Sequence, residues 1–200
     1  MKGYRKVRNL FVPMWTRAFR FDIDGEIPDG PAVLVANHAS VVDHFIVAAA
    51  TPRYMANMAH KEAFDHPIGG RFLRWIGALP IARTGGDEPA VEAAVQALRD
   101  GHLVCLYPEG DWSPDGRIHR FHTGAVRIAA AAGVPIIPMG IRGSLERRKG
   151  TWFRMGGPVT LHIGDPVEAG EPRATSDALQ AEVARLAQLE TVDQYVQELA

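Results

Sequence analysis

Short unbroken apolar runs, separated by stretches of helical periodicity, mark out most of the chain. Residues 32–36 read Ala-Val-Leu-Val-Ala, a run too short for a helix, which predicts a strand buried on both faces. Residues 102–107 and 134–141 predict two more apolar strands, 159–163 predicts one by alternation, and 54–59 is a further strand candidate. Val91, Val95 and Leu98 recur at helical spacing within 89–100, with Gly101 as a stop, and 124–132 predicts a helix closed by Gly133. A helix starts in 41–50, and 72–76 is helical after Pro67 and the Gly69-Gly70 pair. Residues 78–82 form another short apolar run, and 111–120 a loop around the turn Pro114-Asp115-Gly116. A linker near 164–172 leads into one last amphipathic helix over 177–199. Strands alternating with helices predict a single α/β domain: a central mixed, largely parallel sheet flanked by helices.

Charge changes the picture at one end. Residues 1–20 hold Lys2, Arg5, Lys6, Arg8, Arg17 and Arg20 and no acid, so the overall net charge of −1 hides a strongly basic terminus. Leu10, Phe11, Val12, Trp15 and Phe19 are interleaved with these bases, a mixture that suits an interfacial helix on anionic lipid; a helix packed on its own domain is the alternative. Pro13 argues against one continuous helix there. Residues 1–25 are read as a basic, aromatic, membrane-facing amphipathic segment and 26–200 as the folded domain. One basic terminus is too narrow a surface for nucleic acid, so no nucleic-acid partner is expected. No apolar stretch is long enough for a transmembrane helix, and a secretory signal is not expected.

Cysteine and histidine usage removes other classes. The single Cys105 excludes an intramolecular disulfide and a Cys-rich zinc site, and its apolar run predicts a packed core residue. His119, His122, His60 and His66 lack metal-ligand spacing, so no metal is expected. There is no Gly-x-Ser-x-Gly elbow and no phosphate-binding glycine loop.

The candidate chemistry lies directly after two predicted strands. The stretch Asn37-His38-Ala39-Ser40-Val41-Val42-Asp43 follows 32–36, and Pro108-Glu109-Gly110-Asp111-Trp112-Ser113 follows 102–107. His38 and Asp43, five positions apart, share no face of a regular helix, and meet only if the chain turns between them. A His held by a carboxylate at such a corner is the build of a general base; a surface His beside an N-capping Asp is the other reading. Sites in α/β sheets gather at the carboxyl ends of strands, where both clusters fall.

These residues together resemble the glycerophospholipid acyltransferases of the lysophosphatidate (1-acylglycerol-3-phosphate) acyltransferase type. His38 and Asp43 match the family's His-x4-Asp motif. Tyr107-Pro108-Glu109-Gly110-Asp111-Trp112-Ser113 is similar to its Phe-Pro-Glu-Gly-Thr-Arg-Ser block. Lys61-Glu62 with Gly77-Ala78-Leu79-Pro80-Ile81-Ala82-Arg83, and Val134-Pro135-Ile136-Ile137-Pro138, resemble two further blocks. The resemblance implies O-acyl transfer to a hydroxyl of a lysophosphatidate-like lipid from an acyl thioester, on coenzyme A or acyl carrier protein as co-substrate, with no bound cofactor. It implies His38 as general base, Asp43 as its orienter, Glu109, Gly110, Trp112 and Ser113 in acceptor binding, Arg83 and Lys61 as phosphate ligands, and oxyanion donors near 81–83. It also implies a role in phospholipid biosynthesis and a cytoplasmic, peripheral position on the inner face of the cell membrane. Asp111-Trp112 stands where the family usually has Thr-Arg, which opens the alternative of a glycolipid, amino-acid lipid or lysophospholipid acceptor. A non-catalytic lipid-binding member of the fold and a thioesterase are the remaining alternatives.

Overall fold

A computed structural model describes residues 2–82, 88–145 and 158–199. Its strands are β1 Phe21–Asp24, β2 Ala32–Ala36, β3 Met55–His60, β4 Leu79–Ile81, β5 Leu103–Leu106, β6 Ile136–Arg142 and β7 Val159–Ile163. Its helices are α1 Lys2–Phe19, α2 Val42–Ala49, α3 Gly69–Ile76, α4 Glu88–Arg99, α5 Gly124–Ala132 and α6 Pro172–Ala187. The strands form one sheet in the order β1-β7-β6-β2-β5-β3-β4, parallel throughout except for the antiparallel β6–β7 pair. This is the mixed, largely parallel α/β architecture that the periodicity predicts.

The unbroken apolar runs are central strands because both their faces are covered. Every residue of β2 and β5 is buried. On one face, β2, β5 and β6 meet Ala94, Val95 and Leu98 of α4, Val126 and Ile128 of α5, and Leu179 and Val183 of α6. On the other, Leu34, Cys105 and Met139 meet Val42, Ile46 and Val47 of α2. Leu34 is fully enclosed, so truncation to Ala would cost about 2–5 kcal/mol. Cys105 is buried as expected, and burial pushes its thiol up to about 12. Gly140 lets the end of α6 lie directly on β6: a Cβ there would meet the main-chain N of Ala187 at 2.2 Å.

Three sequence expectations are corrected. First, α1 is continuous through Pro13, and the helix packs on α2 and α3. Second, β1 was not predicted; it pairs with β7, so the sheet already begins within residues 1–25. Third, the last helix covers Pro172–Ala187 rather than 177–199. Glu171 caps its start by accepting from the N–H groups of Arg173 and Ala174, and Gln188 ends it at φ 55°. The chain then turns back along Ile118 and Arg120, which exchange main-chain bonds with Glu190, Val192 and Gln194.

Candidate active site

The register places both clusters side by side. Val35 of β2 pairs with Leu106 of β5, so Asn37-His38 and Pro108-Glu109 leave adjacent parallel strands at the same carboxyl end. Asn37 extends the β2–β6 ladder with its side chain: Nδ2 donates to the Ile141 carbonyl at 2.9 Å, and Oδ1 accepts from the Ile141 N–H at 2.7 Å. This anchors the corner just before His38.

The chain turns at Ser40, whose carbonyl accepts from the Asp43 N–H, and α2 begins with Asp43 in its first turn. Asp43 is fully buried, and its Oδ2 accepts three bonds at 2.8 Å: from His38 Nδ1–H and from the N–H groups of Ala39 and Ser40. The carboxylate thus fixes the turn and the imidazole together. His38 Nε2 lies 2.6 Å from the indole Nε1 of Trp112. Indole N–H is a donor only, so Nε2 accepts and the ring proton sits on Nδ1, facing Asp43. Two partners of opposite character therefore assign one tautomer, with Nε2 as the basic atom. Tyr107 stacks on the imidazole at 4.0 Å and 21°, and His44 meets it edge-on at 5.1 Å. Burial is the main cause that lowers His44 to about 4, so it stays neutral beside the His38 ring.

Glu109 is wholly enclosed. Its Oε1 accepts from the main-chain N–H of His38 at 2.8 Å, and its Oε2 from that of His119 at 3.0 Å. Burial pushes its carboxyl up to about 8, against the pull of those two donors. The neighbouring Ser113 is buried as well; its N–H donates to the His38 carbonyl at 2.7 Å, and its hydroxyl bonds the Arg117 carbonyl and Asp115 within its own loop. Gly110 turns at φ 81°, and its carbonyl accepts from His60 Nε2–H at 2.7 Å. The segment after α6 closes the back of this loop: Gln197 Nε2 donates to the Glu109 carbonyl, and Tyr195 stacks on His122 at 4.5 Å.

The structure therefore brings His38, Asp43, Glu109, Gly110, Trp112 and Ser113 into one cluster. Within it, Glu109 and Ser113 grip the main chain of His38, and Trp112, 43% exposed, is the side chain on the open side of the imidazole. Lys61 is exposed on a 3-10 turn at the end of β3, beside His60. Arg83, with the end of the expected oxyanion region, lies outside the described residues. Sequence reasoning missed Tyr107 and His44 around the imidazole and the anchoring bonds of Asn37. The placement of Tyr107 directly after a strand was the available signal for it. Among the described residues no group of His, Cys, Asp and Glu is arranged to hold a metal ion.

Residues 18–142 match the family model described as Acyltransferase. A 1-acyl-sn-glycerol-3-phosphate acyltransferase from Limnanthes alba is 30% identical over 79% of this chain and 58% of its own length. A lyso-ornithine lipid O-acyltransferase from Pseudomonas aeruginosa is 29% identical over 62% of this chain and 47% of its own. The chain spans about half the length of the curated relatives it matches. In three dimensions it resembles the crystal structure of the 1-acyl-sn-glycerophosphate acyltransferase PlsC from Thermotoga maritima, with a TM-score of 0.75 and 26% identity over 92% of this chain and 80% of that one.

Proposed function

This chain belongs to the Acyltransferase family, and from that premise we propose that it moves a fatty acyl group from an acyl thioester to a hydroxyl of a lysophosphatidate-like lipid. The observation that carries this reading is the His38–Asp43 pair, with Nδ1–H held at 2.8 Å and Nε2 left as the base. In the proposed step, His38 Nε2 takes the acceptor hydroxyl proton as the oxygen attacks the thioester carbonyl carbon. The carbon–sulfur bond then breaks, and the proton passes to the departing thiolate of coenzyme A or carrier protein. Asp43 stabilises the imidazolium formed on the way and keeps the productive tautomer. No acyl-enzyme is needed, because the acceptor attacks directly.

The amphipathic α1 supports a membrane-surface site for this chemistry. Leu10 and Met14 on α1, and Ile68 and Trp75 in the α3 region packed against it, are exposed apolar side chains, and the α1 sequence is rich in bases. Among the described residues no helix is long and apolar enough to cross a membrane.

An amino-acid lipid acceptor is a second reading, favoured by the lyso-ornithine lipid relative and by an indole beside Asp111, rather than a cation, at His38 Nε2. One experiment tests both: a labelled acyl thioester offered with lysophosphatidate or with lyso-ornithine lipid, using wild type and His38→Ala. His38-dependent acylation of lysophosphatidate supports the first reading, and of lyso-ornithine lipid alone the second. Turnover that survives in His38→Ala overturns the mechanism.

A further inference from the structure

We propose that Trp112 is the residue that discriminates a lipid hydroxyl from water: its indole N–H caps the basic atom of His38 and must be displaced before any oxygen can be activated there. The cap stands on geometry alone, and its consequence rests on the acyl-transfer reading. Trp112 Nε1 lies 2.6 Å from His38 Nε2, with the two rings perpendicular at 89° and their centroids 5.8 Å apart. The Nε2 lone pair is the ring's one acceptor site, since Nδ1 carries the proton facing Asp43. A hydroxyl whose proton is to be abstracted needs that same position, about 2.6–3.2 Å from Nε2. Indole and acceptor therefore exclude each other.

Three further contacts surround the imidazole. Tyr107 covers one face, His44 meets the ring edge-on, and Asp43 holds Nδ1. His38 is 7% exposed, against 43% for Trp112, so the indole is the solvent-facing wall of the site. The main chain around it is held, by Ser113 N–H on the His38 carbonyl and by Trp112 N–H on Asp111 Oδ1. Opening on this proposal displaces the half-exposed indole while the bonds of the loop's main chain stay in place.

The cap matters because a thioester can also be hydrolysed at such a base. Water would attack the carbonyl carbon, the carbon–sulfur bond would break, and the water proton would pass through His38 to the thiolate, giving free acid and thiol. With the indole in place, Nε2 polarises no water. An acceptor with an apolar body can press the indole aside and spend part of its binding energy on opening the site, whereas water has no such surface.

The test uses Trp112→Phe, which keeps a ring and loses the N–H. Diethyl pyrocarbonate labelling of His38, read by site-resolved mass spectrometry with the exposed His66 as reference, should be roughly three- to tenfold faster in the variant than in wild type. Acceptor-free hydrolysis of an acyl thioester should rise by a similar factor and vanish when His38→Ala is added. Equal labelling in the two proteins overturns the cap, and faster labelling with unchanged hydrolysis overturns its role in excluding water. Failure of wild type to acylate any lipid acceptor would overturn the acyl-transfer reading instead, while the labelling comparison still decides the cap.

Discussion

Glu109 holds His38 by its main chain: one carboxylate oxygen accepts the His38 N–H at 2.8 Å and the other the His119 N–H at 3.0 Å, in a site with no solvent exposure. A side chain with both oxygens bonded to backbone donors in this way fixes where the His38 main chain stands, and on the acyl-transfer reading it is expected to act as a brace for the base. Glu109→Gln replaces one accepting oxygen with an NH2 group that faces an N–H donor. The expected result is a loss of about 1–3 kcal/mol in urea unfolding and a lower kcat, with the acceptor KM little changed. A raised KM at constant kcat would instead make Glu109 an acceptor ligand.

The same carboxyl gives a pH signature. Glu109 is raised from 4.5 to about 8, so between those values the native state holds a proton that the unfolded chain has lost. Its contribution is fully present below pH 4.5 and is lost as pH rises to 8. His44, lowered from 6.5 to about 4, acts in the opposite sense: the unfolded chain protonates first, and stability falls as pH drops through that window. The two slopes oppose each other between 4.5 and 6.5, and above 6.5 the Glu109 slope stands alone. Wild type should lose about 2 kcal/mol of unfolding free energy between pH 6.5 and 8, and Glu109→Gln should lack that slope. A slope that persists in the variant would belong to another group.

Asn37 gives a third prediction, because its side chain is the last rung of the β2–β6 ladder. Asn37→Ala leaves the Ile141 N–H and carbonyl without their partner, at a cost of about 1–3 kcal/mol in chemical denaturation. Asn37→Asp keeps the bond from the Ile141 N–H but sets a carboxylate against the Ile141 carbonyl, so it should be no more stable than the Ala variant. If Asn37→Asp proves as stable as wild type, the bond to the carbonyl contributes nothing.

These cases show which parts of the molecule a sequence can disclose. The central strands were legible because burial on both faces writes an unbroken apolar run, as in Ala32–Ala36. The His38–Asp43 pair was legible because a tight turn links them and their spacing excludes a helix face. Glu109 was visible as a residue but not as a brace, since its partners are backbone amides 71 and 10 positions away that carry no side-chain signature. Four-residue β1 sits at a half-exposed edge, and its partner β7 is remote in sequence, so its pattern is too short to read. The reversal after Gln188 depends on Ile118 and Arg120, again distant, and local helical periodicity overran it.

The membrane reading of α1 makes the last prediction. Arg8 donates from Nε to the Thr51 carbonyl at 2.8 Å, so this base ties α1 to the domain. Leu10, 70% exposed, and Met14, 51% exposed, are the apolar side chains of α1 that an interface would bury. The chain should therefore bind phosphatidylglycerol vesicles more tightly than phosphatidylcholine vesicles, and salt should weaken that preference as the Debye length shrinks. Replacing both Leu10 and Met14 with Ser should lower partitioning into anionic vesicles by at least roughly tenfold while leaving the melting temperature near that of wild type, since both side chains already face solvent. Arg8→Ala should do the reverse, lowering the melting temperature with little change in partitioning. Unchanged vesicle binding in the Leu10/Met14 double variant would mean that charge alone draws this face to lipid, and equal binding to both vesicle types would remove the electrostatic part as well.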